Sequence, residues 1–519
     1  MAVAMAAFAM EDMFVKSAAS HVAVGIVLML FGLGGMAVFA TLIASRGQSL
    51  GHRALLSPPM LTKLGLDVVG RLGYTLGIAL LACSVPEDLG SRLAVLIRKQ
   101  AIGWRSVLAM AAAVTLGGGL IGWLLLDGMP HITDGTTYLL EARTLWSGQL
   151  ALDAPMYPAL FERELLAFKL TEAGYFGKYP IGWPLVLGLF DTAGVPWLAN
   201  ALLAGGVVVL TYLVVAERGS RRLAGLSAGV VALCPWLWLN AGTMMSHLAS
   251  AVWLWLFLWL FLRATRTQQR SAALLAGLTL GAAVLTRPSD AAFFALPCVA
   301  LAMALVIRSP RLWLTRLPLV AVGALPGVVI YLGVSRHLTG GGSTYGGGHT
   351  SAVFQQTPHS FLHALAWLQE SWVGMSSQWL AGAAPVGAMI LCGLVFGRST
   401  VRKHWLVICC GASVFLCYGV FVFGGRAWVG PRWYVPLIPA AAMLIAAGLE
   451  AAAHAARVRS AGGVLAAGYL RAVGVALAVV LLVVVPVRLF ELSQRPPHGI
   501  DGRVVAAVHE ANLTHAVVA

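Results

Sequence analysis

Apolar stretches about as long as a lipid bilayer is thick recur along this chain from one end to the other. Val22 to Ser45, Val107 to Leu126 and Val473 to Val487 carry no charged residue. Each approaches the ~20 residues a helix needs to cross a ~30 Å hydrocarbon core. Within hydrocarbon a segment must satisfy its own backbone hydrogen bonds, which confines runs of this length to helices. Only 11% of the 519 residues are charged, against about 25% in soluble domains, and the mean hydropathy is +0.84. The expectation is an all-α, polytopic integral membrane protein. Its 17 Trp and 58 Gly suit that class, because Trp anchors at interfaces and Gly lets helices approach closely.

A formal net charge of +15 raises nucleic acid as a partner until its distribution is followed. Basic residues gather in short gaps between apolar runs: Arg218, Arg221 and Arg222; Arg263, Arg266 and Arg270; Arg308, Arg311 and Arg316; Arg398, Arg402 and Lys403; Arg457, Arg459 and Arg471. The segment from Arg46 to Arg105 adds Arg53, Lys63, Arg71, Arg92, Arg98 and Lys99. By the positive-inside rule these gaps are cytoplasmic. The charge is therefore a topology signal, and no nucleic-acid partner is expected.

Alternating the two faces predicts about twelve spans, near residues 22–45, 107–128, 197–216, 223–239, 247–262, 271–285, 291–307, 317–335, 380–397, 405–423, 434–452 and 472–487. Runs 68–84 and 180–191 would break the alternation if each crossed alone, and read as interfacial or re-entrant. The first run lacks a small-residue cleavage pattern at its end and reads as retained. The seven Cys all lie in or at the ends of apolar runs without metal-ligand spacing, as buried thiols. This organisation divides the chain into an N-terminal extension 1–106, a transmembrane region 107–487 and a short tail 488–519. Segments 129–179, 336–379 and the tail fall on the outer face and are too long or too polar for turns, so chemistry is expected there.

The first of these reads His131-Ile-Thr-Asp134-Gly-Thr-Thr-Tyr138-Leu-Leu-Glu141-Ala142-Arg143, continues to Ser147-Gly148, and closes with Gly177-Lys178-Tyr179-Pro180-Ile-Gly182-Trp183-Pro184. An Asp held at a membrane surface just beyond a span can stay ionised and act as a base. Its bland alternative is to N-cap the following helix.

The pattern Asp-x-x-x-Tyr-x-x-x-Ala-Arg-x-x-x-x-Ser-Gly, with Lys-Tyr-Pro-x-Gly-x-Pro following, resembles the first external loop of the C-type (GT-C) glycosyltransferases. These membrane enzymes include the protein O-mannosyltransferases and the aminoarabinose transferase of lipid A. Met245-Ser246-His247, Thr286-Arg287-Pro288 and Gly430-Pro431-Arg432-Trp433-Tyr434-Val-Pro436 follow in order on the same face, so the resemblance runs from about residue 107 to 452. The family's first loop often holds two adjacent acids. Here Gly135 follows Asp134, which leaves Glu141 or no residue as the partner acid. Residues 1–106 fall outside the match.

The resemblance implies transfer of a sugar from a polyprenyl-phosphate donor to a lipid, glycan or protein acceptor at the outer membrane face, usually with inversion. On that reading Asp134 is the base and Glu141 orients it or faces water. A leaving phosphate is a weak base that cations stabilise better than a proton does. Lys178, Arg287 and Arg432 are the candidates, with Arg426 behind them, against the snorkelling that an Arg at a span end ordinarily performs. His247 and Tyr138 are candidates for substrate contact, with simple packing as the alternative for each. No cofactor follows from the sequence.

Thr339 to Thr350 is glycine-dense but lacks the Gly-Lys-Ser/Thr ending of a phosphate-cradling loop, and reads as a lid or a linker. His359 and His363 are four apart without a third ligand, so no metal is indicated. Trp367, Trp372 and Trp379 suggest an interfacial helix over about 358–378. Asn512-Leu-Thr514 matches a glycosylation tripeptide that also arises by chance. A transporter or flippase is the rival function, but it would place ionisable residues at mid-membrane. Here the span centres are almost free of charge. Family resemblance further implies a bacterial inner membrane, with the site facing the periplasm or cell exterior.

Overall fold

The structure, a computed structural model, describes residues 81–99 apart from 83 and 87, together with 102–154, 167–310, 314–341, 383–420, 426–427, 430–457, 461–494 and 510. The described chain is helical, as the apolar runs require. Its only described strands form two short antiparallel ribbons, Phe168–Thr171 with Gly174–Gly177 and Arg426–Ala427 with Gly430–Pro431.

Seven helical stretches are long and apolar enough to cross a membrane: Trp104–Leu125, Leu198–Ala216, His247–Thr267, Pro288–Arg308, Leu317–Thr339, Arg432–Ala455 and Gly462–Val487. An eighth is the pair Arg221–Ala232 and Pro235–Ala241, bent by 60°. Pro235 lacks the amide that would continue the helix, and just before the bend Trp238 Nε1 donates to the Ala232 carbonyl at 2.7 Å. The expected count of about twelve is thus not reached among the described residues. Arg270–Thr286 falls where a span was expected and has 17 residues, and Ala383–Phe396 and Trp405–Val420, also in expected spans, have 14 and 16 described residues. The expected span 22–45 and most of run 68–84 lie outside the described residues. Run 180–191 is the helix Gly182–Thr192, whose 11 residues are too short to cross. The six described cysteines are free thiols.

The chain forms two compact units. Of the described residues, the larger holds those within 102–341, 403–442, 487–494 and 510, among them Asp134, Tyr138, Glu141, Lys178, His247, Arg287 and Arg432. Within it, helices Arg270–Thr286 and Leu317–Thr339 meet through glycines four residues apart, Gly277 and Gly281 on one and Gly323 and Gly327 on the other. A Cβ on Gly323 would stand 2.9 Å from the Gly277 Cα. Small residues at such spacing let backbones touch, the usual substitute for a hydrophobic drive between helices in lipid. The other flank of Leu317–Thr339 exposes Val322, Leu325, Val329 and Leu332, an apolar surface suited to lipid.

Of the described residues, the smaller unit holds those within 81–99, 383–402 and 443–486. There helix Asp88–Lys99 packs Ala94 with Ala453 and Leu470. A Cβ on Gly393 of helix Ala383–Phe396 would overlap the Leu444 backbone.

Candidate active site

Five chain segments of the larger unit, at helix ends opposite the arginine-rich gaps, build the site: the loop helix that carries Asp134, the Gly177–Tyr179 turn, Gly242 to His247, Arg287 and Arg432. The first follows the span Trp104–Leu125. Asp127 and Gly128 take left-handed backbone (φ 50° and 64°) and reverse the chain, and buried His131 hydrogen-bonds the Leu126 carbonyl through Nε2 at 2.9 Å. Helix Thr133–Trp146 then begins, with extended Ile132 at the cap position. Asp134 therefore does not cap this helix. It sits in the first turn, where the dipole favours a carboxylate, and its Oδ2 accepts from Arg432 Nη2. The pair is only partly covered, with the two side chains 20% and 10% exposed. Arg432 opens the 3₁₀ turn Arg432–Leu437 at the start of the last span of this unit.

Tyr138 and Glu141 lie one and two turns beyond Asp134 on the same helix. The buried Tyr138 hydroxyl shares a hydrogen bond with Ser246 Oγ (2.8 Å), and its ring stacks on Tyr179 at 4.4 Å. Lys178 Nζ stands 5.4 Å from the centre of the Tyr179 ring. Glu141 does not face water: it is 9% exposed, and its Oε1 accepts the Tyr179 amide at 3.3 Å while Oε2 has no partner. Burial pushes its carboxyl well above the ordinary range, against the smaller opposing pull of the Tyr179 amide. Gly177 makes this approach feasible, because a Cβ there would overlap Glu141 Oε1. The carboxyl thus pins the Gly177-Lys178-Tyr179 stretch to the loop helix. Arg143, another residue of the sequence pattern, is spent on a bidentate pair with Asp191 (2.9 and 3.0 Å) at the surface.

The third segment is Gly242 to His247. Asn200 Nδ2 donates to the carbonyls of Thr243 (2.6 Å) and Met245 (2.8 Å), and Trp183 Nε1 donates to that of Met244 (2.9 Å). These bonds fix Ser246 and His247 at the head of the helix that follows. His247 is 2% exposed, yet neither ring nitrogen has a hydrogen-bond partner. It lies within electrostatic reach of Arg287 and Arg432.

Arg287 forms the corner between helices Arg270–Thr286 and Pro288–Arg308. Its Nε donates to Asp290 Oδ2 (2.9 Å) and its Nη1 to Ser246 Oγ (3.3 Å), while the guanidinium stands 5.5 Å from the Trp433 ring.

Asp134, Tyr138, His247, Arg287 and Arg432 are thus brought together through direct or shared partners, and Lys178 joins through Tyr179 and Tyr138. Glu141 is engaged by the Tyr179 turn, whose amide it accepts from. Sequence reasoning missed Ser246, Asp290, Tyr418 and Trp433 as parts of the group. Asp290 was within reach of it, three residues beyond Arg287 on one helix. The Arg426 side chain, the loop from 342 to 382 with His359, His363 and the three Trp, and Asn512 to Thr514 lie outside the described residues. Among the described residues no three His, Cys, Asp or Glu side chains converge as metal ligands.

No family model matches the chain, and no curated protein matches it. Among solved structures it is similar to ArnT from Cupriavidus metallidurans in the apo state (16% identity, TM-score 0.45, covering 71% of this chain and 76% of that one). The same protein bound to undecaprenyl phosphate is similar at 14% identity and TM-score 0.47, over 79% of this chain and 80% of that one. The apo oligosaccharyltransferase of Archaeoglobus fulgidus gives 13% identity and TM-score 0.43, over 78% of this chain and 58% of that one.

Proposed function

We propose that this chain is a C-type membrane glycosyltransferase, which passes a sugar from a polyprenyl-phosphate donor to an acceptor at the outer membrane surface with inversion. The observation that carries the reading is His247. A buried imidazole with two unpartnered nitrogens, flanked by two arginines, leaves hydrogen-bonding capacity unused. Each unmade hydrogen bond of a buried polar group costs roughly 1–3 kcal/mol. A phosphate in that position would accept from one ring nitrogen and lie in the electrostatic reach of both guanidinium groups.

The chemistry then divides among residues already in place. Asp134 accepts the proton of the acceptor hydroxyl as its oxygen attacks the anomeric carbon. The bond from that carbon to the phosphate oxygen breaks, and its electron pair stays on the phosphate. Arg432, Arg287 and Lys178 stabilise the charge gained there, and His247 donates to it through one nitrogen. A single displacement by one base inverts the anomeric centre. Arg432 links the two halves of the reaction, because the group that neutralises Asp134 is also a phosphate ligand. Glu141 is a positioning residue that holds Lys178 and Tyr179 against the loop helix. The site belongs to the periplasmic or exterior side of a bacterial inner membrane, with a lipid, glycan or protein as acceptor.

The test is sugar transfer by purified, reconstituted protein from a panel of radiolabelled polyprenyl-phosphate sugars, with Asp134→Asn as control. Transfer or slow donor hydrolysis that vanishes in a folded Asp134→Asn variant is the expected result. Failure to consume any donor, together with flux of a lipid-linked or small solute across sealed vesicles, would overturn the reading in favour of a transporter.

A further inference from the structure

One buried carboxylate of the larger unit has no part in the chemistry above. Asp290 lies in the first turn of helix Pro288–Arg308 with no exposed surface. It accepts three hydrogen bonds: from Arg287 Nε (2.9 Å) and Ser250 Oγ (2.7 Å) at Oδ2, and from the Tyr418 hydroxyl at Oδ1. Ser250 belongs to helix His247–Thr267 and Tyr418 to helix Trp405–Val420. Three helices are therefore tied to one anion.

Burying an ionised carboxylate costs several kcal/mol unless a cation and well-placed donors compensate it. Here the cation is Arg287, the guanidinium already placed beside His247. Asp290 holds it at Nε, Ser246 accepts from Nη1, and Trp433 lies against its face. Tyr418 is itself wedged edge-on against Trp433, with ring centres 4.9 Å apart. The aromatic wall of Arg287 and the carboxylate that aims it are thus braced by the same tyrosine.

We propose that Asp290 is a positioning residue for phosphate recognition, holding Arg287 in the orientation in which it meets the donor. This rests on the donor reading above. Without the carboxylate, Arg287 is left as a buried, uncompensated charge that re-solvates by swinging toward the water interface, away from His247. The loss of orientation outweighs the gain from removing a nearby negative charge, because a guanidinium displaced into water contributes little to an anion at the original position.

The experiment measures the Kd of undecaprenyl phosphate for the full chain in phosphatidylcholine nanodiscs. Wild type is compared with Asp290→Asn, Tyr418→Phe, Arg287→Ala and the Asp290→Asn/Arg287→Ala double variant. Asp290→Asn is expected to weaken binding about tenfold, and the double variant to bind no more weakly than Arg287→Ala alone, the non-additivity of residues acting through one another. Tyr418→Phe keeps the charge and tests the same device if Asp290→Asn fails to fold; it should weaken binding about twofold to threefold, and again not at all in an Arg287→Ala background. Additive losses, unchanged binding or tighter binding in Asp290→Asn would overturn the assignment of Asp290 while leaving the donor reading intact. A wild type that does not bind the lipid, or an Arg287→Ala variant that binds it as well as wild type, would overturn the donor reading and this inference with it.

Discussion

Arg432 donates from Nη2 to the Asp134 carboxylate, joining two residues 298 positions apart at the start of one span and just past the end of another. The proposed base and a proposed phosphate ligand thus neutralise each other. On the proposed reading a donor phosphate competes with Asp134 for the guanidinium, which makes phosphate binding and release of the base one event.

Asp134→Asn should lower transfer by 10² to 10⁴, the range for removing a general base. It should leave donor binding intact or tighten it, because Arg432 loses its competing carboxylate. Arg432→Ala should instead raise the donor Kd and lower the transfer rate. Parallel donor titrations and single-turnover transfer assays separate the two patterns.

The Glu141 carboxyl is held well above its ordinary pKa by burial, which fixes the sign of a pH effect. Below the ordinary value of a Glu, ~4.3, both folded and unfolded chains carry the proton and nothing is lost. As pH rises above it the unfolded chain ionises first, so the folded state loses stability progressively until its own raised pKa is passed. Glu141→Gln removes the titration and keeps an acceptor for the Tyr179 amide. Thermal midpoints in detergent should match wild type near pH 4 and exceed it increasingly toward neutral and alkaline pH. A constant difference across the range would contradict this account.

The spans were legible because a run of apolar residues long enough to cross a bilayer has few alternatives, whatever its neighbours do. The bend at Pro235 was legible in principle but was absorbed into one expected span, 223–239. Asp134, Tyr138, His247, Arg287 and Arg432 stood out because their order along the chain could be compared with a known pattern. Glu141 is different: whether it faces water depends on the hairpin Phe168–Gly177 folding over it, and the hairpin leaves little signal in the stretch Phe168-Lys-Leu-Thr171. Nor does any spacing foretell that Tyr418 meets Asp290, 128 residues away. Such contacts are set by how helices pack, which the lipid-facing composition of each helix does not encode.

The contact between helices Arg270–Thr286 and Leu317–Thr339 rests on absent side chains. A Cβ on Gly327 would overlap the Gly281 backbone, and no rotamer relieves a clash with main chain. Gly327→Leu should therefore separate the helices and destabilise the protein by about 1–3 kcal/mol or more. Gly333→Leu, on the same helix, where a Cβ meets nothing within 4 Å, should have little effect. Thermal midpoints of the two variants, compared in the same detergent, check the contrast.

Gly177 offers a sharper test of how the lysine turn is held, because its neighbour is a side chain that can be changed. A Cβ there would overlap Glu141 Oε1 and stand 2.6 Å from Thr137 Cγ2, so Gly177→Ala must displace the hairpin, the carboxyl or both. Moving the hairpin shifts Lys178, and with it the stack of Tyr179 on Tyr138. Gly177→Ala should therefore destabilise by about 1–3 kcal/mol, as overpacking does, and should also weaken donor binding. Glu141→Ala alone opens space but loses the bond to the Tyr179 amide. Combining the two removes the Glu141 part of the clash and leaves the Thr137 methyl to give way, so the double variant should still be more stable than the sum of the single losses predicts, with a coupling of about 0.5–3 kcal/mol. Additive losses would mean that the turn is held by something other than the fit of Gly177 against Glu141.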